Sequence, residues 1–102
     1  MKKKPFKVLE ERRDYNYIKI ELFKKREIFS IGLSTSIGEG GIGYPEQGAY
    51  RSYYEAKNAA LHCIIKCHKS PRQKGILKKF RLMRDLDQPL LFDDIELSPK
   101  LG

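Results

Sequence analysis

The sequence predicts an α+β fold: a two- or three-stranded antiparallel sheet covered by one helix, followed by a second, basic helix and a disordered acidic tail. Three observations carry this expectation. Residues 17–36 alternate apolar and polar side chains with the period of a strand. Residues 52–69 switch to the period of a helix behind a serine cap. Charge is segregated, with nine bases and no acid over residues 56–84, then five acids and no base over residues 85–96. We therefore place a single small domain over residues 1–84 and a flexible tail over residues 85–102.

The elements follow in chain order. Phe6 and Val8 alternate with lysines and give a short candidate strand. Ile18, Ile20 and Leu22 alternate with Lys19, Glu21 and Phe23, and Phe29, Ile31 and Leu33 fall in phase after the polar stretch Lys24-Lys25-Arg26-Glu27. This is a hairpin with a charged turn of about four residues. Ser52 and Glu55 then form the signature of a capping box. Behind it Ala56, Ala59, Ala60, Cys63, Ile64 and Cys67 make a narrow, small-residue helix face, widened by Leu61 and Ile65. Ser70-Pro71 stops this helix and starts another, which runs to about Arg84 with Ile76, Leu77, Phe80 and Met83 as its apolar stripe. A sheet of two or three strands is marginal alone, so a homodimer is a fair expectation.

Composition bounds the function. The chain has 102 residues, of which 40% are hydrophobic and 33% charged, so the core is modest. Its net charge of +8 and pI near 9.6 favour an acidic partner. No apolar run approaches the roughly 18 residues that a bilayer span requires, so no membrane association through a span is expected. No apolar stretch follows the basic start Met1-Lys2-Lys3-Lys4-Pro5, which argues against a secretory signal. Cys63 and Cys67, four apart, suit a reducing cytoplasmic compartment better than a disulfide scaffold.

Motifs that carry chemistry are few. Gly38-Glu39-Gly40-Gly41-Ile42-Gly43 has the glycines of a phosphate-cradling loop, but no Gly-Lys-Ser/Thr follows and Glu39 would repel a phosphate. The alternative is a connection between strand and helix. His62, Cys63, Cys67 and His68 all fall on one helix, where His62 and His68 lie off the face shared by the cysteines; small buried thiols explain that pattern better than a metal site. No serine elbow, paired-carboxylate motif or zinc-protease motif is present. The expectation is a protein that is not an enzyme and uses no cofactor and no metal.

The basic tract is more informative. Lys66, Lys69, Arg72, Lys74, Lys78, Lys79, Arg81 and Arg84 run uninterrupted by acid. Solvated helix faces usually mix signs, because like charges oppose a helix, and phosphate contacts would offset that cost through counterion release. Tyr44, Tyr50, Tyr53 and Tyr54 with Arg51 gather around the helix entrance, where Arg51, Tyr53 and Tyr54 could stack on bases. The function expected is a nucleic-acid-binding accessory that grips the phosphate backbone of DNA or RNA.

Two resemblances add to this. Gln88-Pro89-Leu90-Leu91-Phe92 resembles the pentapeptide with which bacterial replication and repair proteins bind the sliding clamp. Gln88, Leu91 and Phe92 match its first, fourth and fifth positions, whereas Pro89 and Leu90 depart from its second and third. The resemblance implies a protein partner reached through the tail; the alternatives are that these apolar residues fold back on the sheet, or that the acidic tail screens the basic tract. The hairpin, the glycine segment and Tyr50-Arg51-Ser52-Tyr53-Tyr54-Glu55-Ala56 with its helix, over residues 17–69, are similar to a small module of phage- and plasmid-type proteins. That implies a mobile-element setting. A protein-interaction module, using the tail peptide or the basic helix against an acidic partner, is the competing function.

Overall fold

The computed structural model describes residues 4–86. In chain order these form β1 (Lys7–Arg13), β2 (Asn16–Lys25), β3 (Ile28–Ile37), β4 (Gly40–Tyr50), α1 (Tyr53–Cys67), α2 (Pro71–Leu77) and α3 (Arg81–Leu86). The strands make one antiparallel meander in the order β1-β2-β3-β4. The α+β class stands, but the sheet has four strands where the sequence predicts two or three. The short strand expected from Phe6 and Val8 is present but runs on to Arg13, and β4 is an edge that the alternation does not announce. In β1 five of seven residues are charged, and β4 is built from glycines and a proline, residues that strands normally avoid.

One face of the sheet makes the core. Ile18, Ile20 and Leu22 of β2 join Phe29, Ile31, Leu33 and Ile37 of β3 beneath Ala56, Ala60, Leu61 and Ile64 of α1. The alternate residues Tyr17, Lys19, Glu21, Ser34 and Ser36 stay half-exposed. Each fully buried Ile or Leu contributes roughly 1.5–3 kcal/mol. The described residues measure 39 × 35 × 18 Å, the thickness of a sheet and one helical layer.

The turns are tight. Lys25 and Ile28 are already paired, so the β2–β3 turn is Arg26-Glu27 rather than four residues. Its first residue, Arg26, has φ 60°, as Asp14 has φ 58° in the β1–β2 turn. The left-handed region suits Asp better than Arg. Gly38, with φ 64°, opens the β3–β4 turn and donates its N–H to Asn16 Oδ1 at 2.8 Å. The glycine segment is therefore a hairpin turn and the start of β4, not a connection between strand and helix.

α1 begins as its sequence predicts. Ser52 Oγ accepts from the Glu55 N–H at 3.0 Å, while Glu55 Oε1 accepts from the Arg51 N–H at 3.2 Å. The predicted second helix is divided. Lys79 N–H and Phe80 N–H bond to the Ile76 and Leu77 carbonyls, three residues back, which tightens the chain and turns Phe80 into the core, where it is fully buried. α3 restarts on a cap supplied by β1. Glu11 Oε2 accepts from the Arg81 N–H at 2.9 Å and Oε1 from the Leu82 N–H at 3.1 Å. Burial pushes the Glu11 carboxyl up, but these two amides and Arg13 outweigh it and hold its pKa below the ordinary value. No described helix is long and apolar enough to cross a membrane.

Two outcomes test this account. Arg26→Gly should raise stability by about 1 kcal/mol, seen as a rise of roughly 4–8 °C in Tm; an unchanged or lower Tm would show that the turn is unstrained. Glu11→Ala should cost about 1–2 kcal/mol in urea unfolding at pH 7. Because the folded pKa lies below the unfolded one, that contribution is present above about pH 4.3 and disappears as pH falls through the folded value.

Candidate functional site

One buried, doubly hydrogen-bonded side chain is a residue that the helical spacing assigns to an outer face. His68 is 1% exposed. It caps α1, its N–H bonding to the Ile64 and Ile65 carbonyls. Its Nε2 lies 2.8 Å from Thr35 Oγ1 on β3, and its Nδ1 lies 3.1 Å from Gln73 Nε2 on α2. The Gln73 amide nitrogen also donates to the Ile37 carbonyl at 3.0 Å. A carbonyl only accepts, so the nitrogen of the amide must face it, and the same NH₂ then donates to His68 Nδ1. The imidazole is therefore neutral, with its proton on Nε2 directed at Thr35. Burial holds its pKa below the ordinary histidine value. Gly40 makes room for this arrangement: a Cβ there would stand 2.8 Å from Gln73 Nε2. Gln73 also completes a capping box with Ser70 at the start of α2. The sequence gives Ser70 as a cap but no sign that Gln73 reaches both the hairpin and the histidine.

The cysteines sit at the margin rather than inside. Cys63 and Cys67 are half-buried, and Tyr44 Oη lies 3.5 Å from Cys67 Sγ. Tyr44 thus belongs to the C-terminal half of α1, not to the helix entrance. Burial, then the neighbouring Cys67, pushes the Cys63 thiol up despite Lys66. The Cys67 hydrogen bond does the same to the Tyr44 hydroxyl. Both groups are more firmly protonated, hence less nucleophilic, than free ones. Among the described residues no three His, Cys, Asp or Glu gather as a metal centre needs.

The basic tract does not form one face. Arg72 is paired with Glu39 at 2.9 Å, beside the β3–β4 turn. Arg81 borders the opposite edge of the sheet, in a shallow cleft with Glu10, Glu11, Arg12 and Arg13. Lys66, Lys69, Lys74, Lys78, Lys79 and Arg84 are all exposed, and none has a salt-bridge partner among the described residues. Lys74 and Lys78 also border a groove of about 190 Å³ whose remaining lining is Ile65, Leu77 and Met83. Ile65 is 36% exposed there, where the periodicity expects it to widen the core-facing stripe.

Arg51, Tyr53 and Tyr54 lie at the other end of α1, about 20 Å from Lys66 by the helix rise of ~1.5 Å per residue. Tyr54 is exposed. Tyr53 packs against the core with Lys7 Nζ over its ring at 5.4 Å, so its face is already occupied. The structure therefore separates the aromatic part of the predicted site from the cationic part. Gln88, Leu91 and Phe92 lie outside the described residues.

No protein-family model matches the chain, and no curated protein or solved structure is significantly similar to it.

The buried histidine has a signature in pH. Its folded pKa lies below the unfolded value of about 6.5, so unfolding takes up a proton as the medium is acidified. Its contribution is complete above about pH 6.5 and is lost below, at a rate approaching 1.4 kcal/mol per pH unit. Urea midpoints measured between pH 7.5 and 5.5 should fall accordingly. His68→Gln, less stable throughout, should lose most of that slope, and an unchanged slope would move its origin elsewhere.

Proposed function

We propose that the protein is a non-enzymatic nucleic-acid-binding accessory that holds the phosphate backbone through Lys66, Lys69, Lys74, Lys78, Lys79 and Arg84. One observation carries this reading. These six cations crowd residues 66–84, are exposed, and lack anionic partners among the described residues. A stable domain gains little from such crowding, since like charges oppose one another and exposed cations without partners add nothing to the fold. Phosphates would neutralise them and release their condensed counterions. Arg72, committed to Glu39, and Arg81, turned to the β1 edge, play secondary parts. Tyr54 and Arg51 remain available for stacking, but their distance from the lysines gives them a separate role. Backbone contact with little sequence readout is the mode that lysines scattered over short helices support.

The competing reading, a protein-interaction module, draws on a different feature, the apolar groove between α1, α2 and α3.

Fluorescence anisotropy with labelled single- and double-stranded 20-mers across a salt series distinguishes them. Micromolar binding with a steep salt slope is expected. Lys66→Glu/Lys69→Glu/Lys79→Glu, which leaves the groove intact, should weaken binding at least tenfold and flatten the slope by about 2–3 for a duplex, at ~0.9 per phosphate contact. Absence of binding at low salt, or full affinity in the triple variant, overturns the proposal.

A further inference from the structure

The groove between the helices is the feature that backbone binding does not use. Leu77 and Met83, each 4% exposed, and the partly exposed Ile65 give it apolar walls, while Lys74 and Lys78 stand at its border. Its volume of about 190 Å³ is of the order of the ~150 Å³ cavities that take up a benzene ring. A phosphate backbone has nothing to place against such walls. The complementary ligand has an aromatic or leucine anchor flanked by carboxylates.

We propose that the groove is an interaction surface for the chain's own residues 90–97, with Leu91 and Phe92 as anchors in the apolar slot and Asp93, Asp94 and Glu96 against the lysines. The composition fits on both counts. This segment holds Leu90, Leu91, Phe92, Ile95 and Leu97 among acids alone, within a stretch that has no base from residue 85 to residue 96. The connection fits as well. Met83 is both a wall of the groove and a residue of α3, whose last residue is Leu86. Phe92 is six residue steps beyond Leu86, a reach of up to about 20 Å at ~3.3–3.6 Å each, enough to return to Met83. A tether this short raises the local concentration of the ligand to the millimolar range, so that a weak contact suffices. The consequence for nucleic acid, which rests on the reading proposed above, is competition. Seated carboxylates neutralise Lys74 and Lys78 and repel phosphate from their neighbours.

The test uses the full chain with methyl-labelled Ile, Leu and Met, comparing wild type with Leu91→Ser/Phe92→Ser by NMR, alongside anisotropy with the same 20-mers. The expected result is that the Met83, Leu77 and Ile65 methyl resonances move while those of the sheet, such as Ile20, do not, independently of protein concentration. The variant should also bind oligonucleotide several-fold more tightly. Methyl shifts in the variant with no oligonucleotide binding by either protein would support the seating of the tail and remove the nucleic-acid reading. Unmoved groove methyls would overturn the seating, whatever the oligonucleotide does. Methyl shifts that appear only as wild-type concentration rises would also overturn it, because the occupant would then be a second copy.

Discussion

The placement of the helical half of the protein depends on a neutral imidazole. His68 ends α1, and by bonding Thr35 on one side and Gln73 on the other it joins β3 to α2 through the interior. Gln73 completes the connection at the Ile37 carbonyl, where the β3–β4 hairpin begins to turn. A buried polar network of this kind is stabilising only when every member is satisfied, and its directional bonds admit one arrangement where apolar packing would admit several. Once α2 is fixed, Leu77 and Phe80 meet the core, and Glu11 receives the start of α3 on the far edge of the sheet. Two polar attachments, one at each side, thus hold three short helical elements that would be marginal alone.

The legible part of this architecture is the part written in a single period. The alternation of Ile18, Ile20 and Leu22 with Lys19 and Glu21 carries β2, and Ser52 with Glu55 carries the start of α1. What escaped depends on partners distant in sequence. β1 extends past the short strand readable at Phe6 and Val8 because Leu9 lies beside Ile20 and Glu11 faces α3, neither of which its charged composition announces. β4 is a strand because β3 templates it, despite its glycines. His68 is invisible for a related reason. A cap residue leaves the helical path, so its side chain does not point where extrapolating the periodicity places it. The candidate site divides in the same way. The chemistry of the lysines could be read from sequence, but their distribution among an ion pair, a cleft and a groove could not.

That distribution gives the helical side two kinds of surface. Lys66, Lys69, Lys74, Lys78, Lys79 and Arg84 have no salt-bridge partner among the described residues, while Leu77 and Met83, from two different helices, meet at the groove because α2 and α3 are separate segments. A continuous helix from Pro71 to Arg84 would have presented one stripe to the sheet and left no such slot. The division that allows Phe80 to reach the core therefore also makes the recess in which an apolar anchor can sit.

The outer margin of the sheet carries a different message. Along β4 the pairing with β3 slips twice, between Leu33 and Ile31 and again between Ile31 and Phe29, so that extra residues of β4 crowd opposite single residues of its neighbour. Pro45 lies in the first irregularity, and Gly48, with φ 87° and the Tyr50 ring where a Cβ would stand, lies in the second. Bulges coil a strand and break the regular spacing of its outward amides, and proline removes one amide altogether. A foreign strand approaching this margin finds no straight row of donors and acceptors to continue. The irregularity protects a long exposed edge from recruiting further chains into an aggregate.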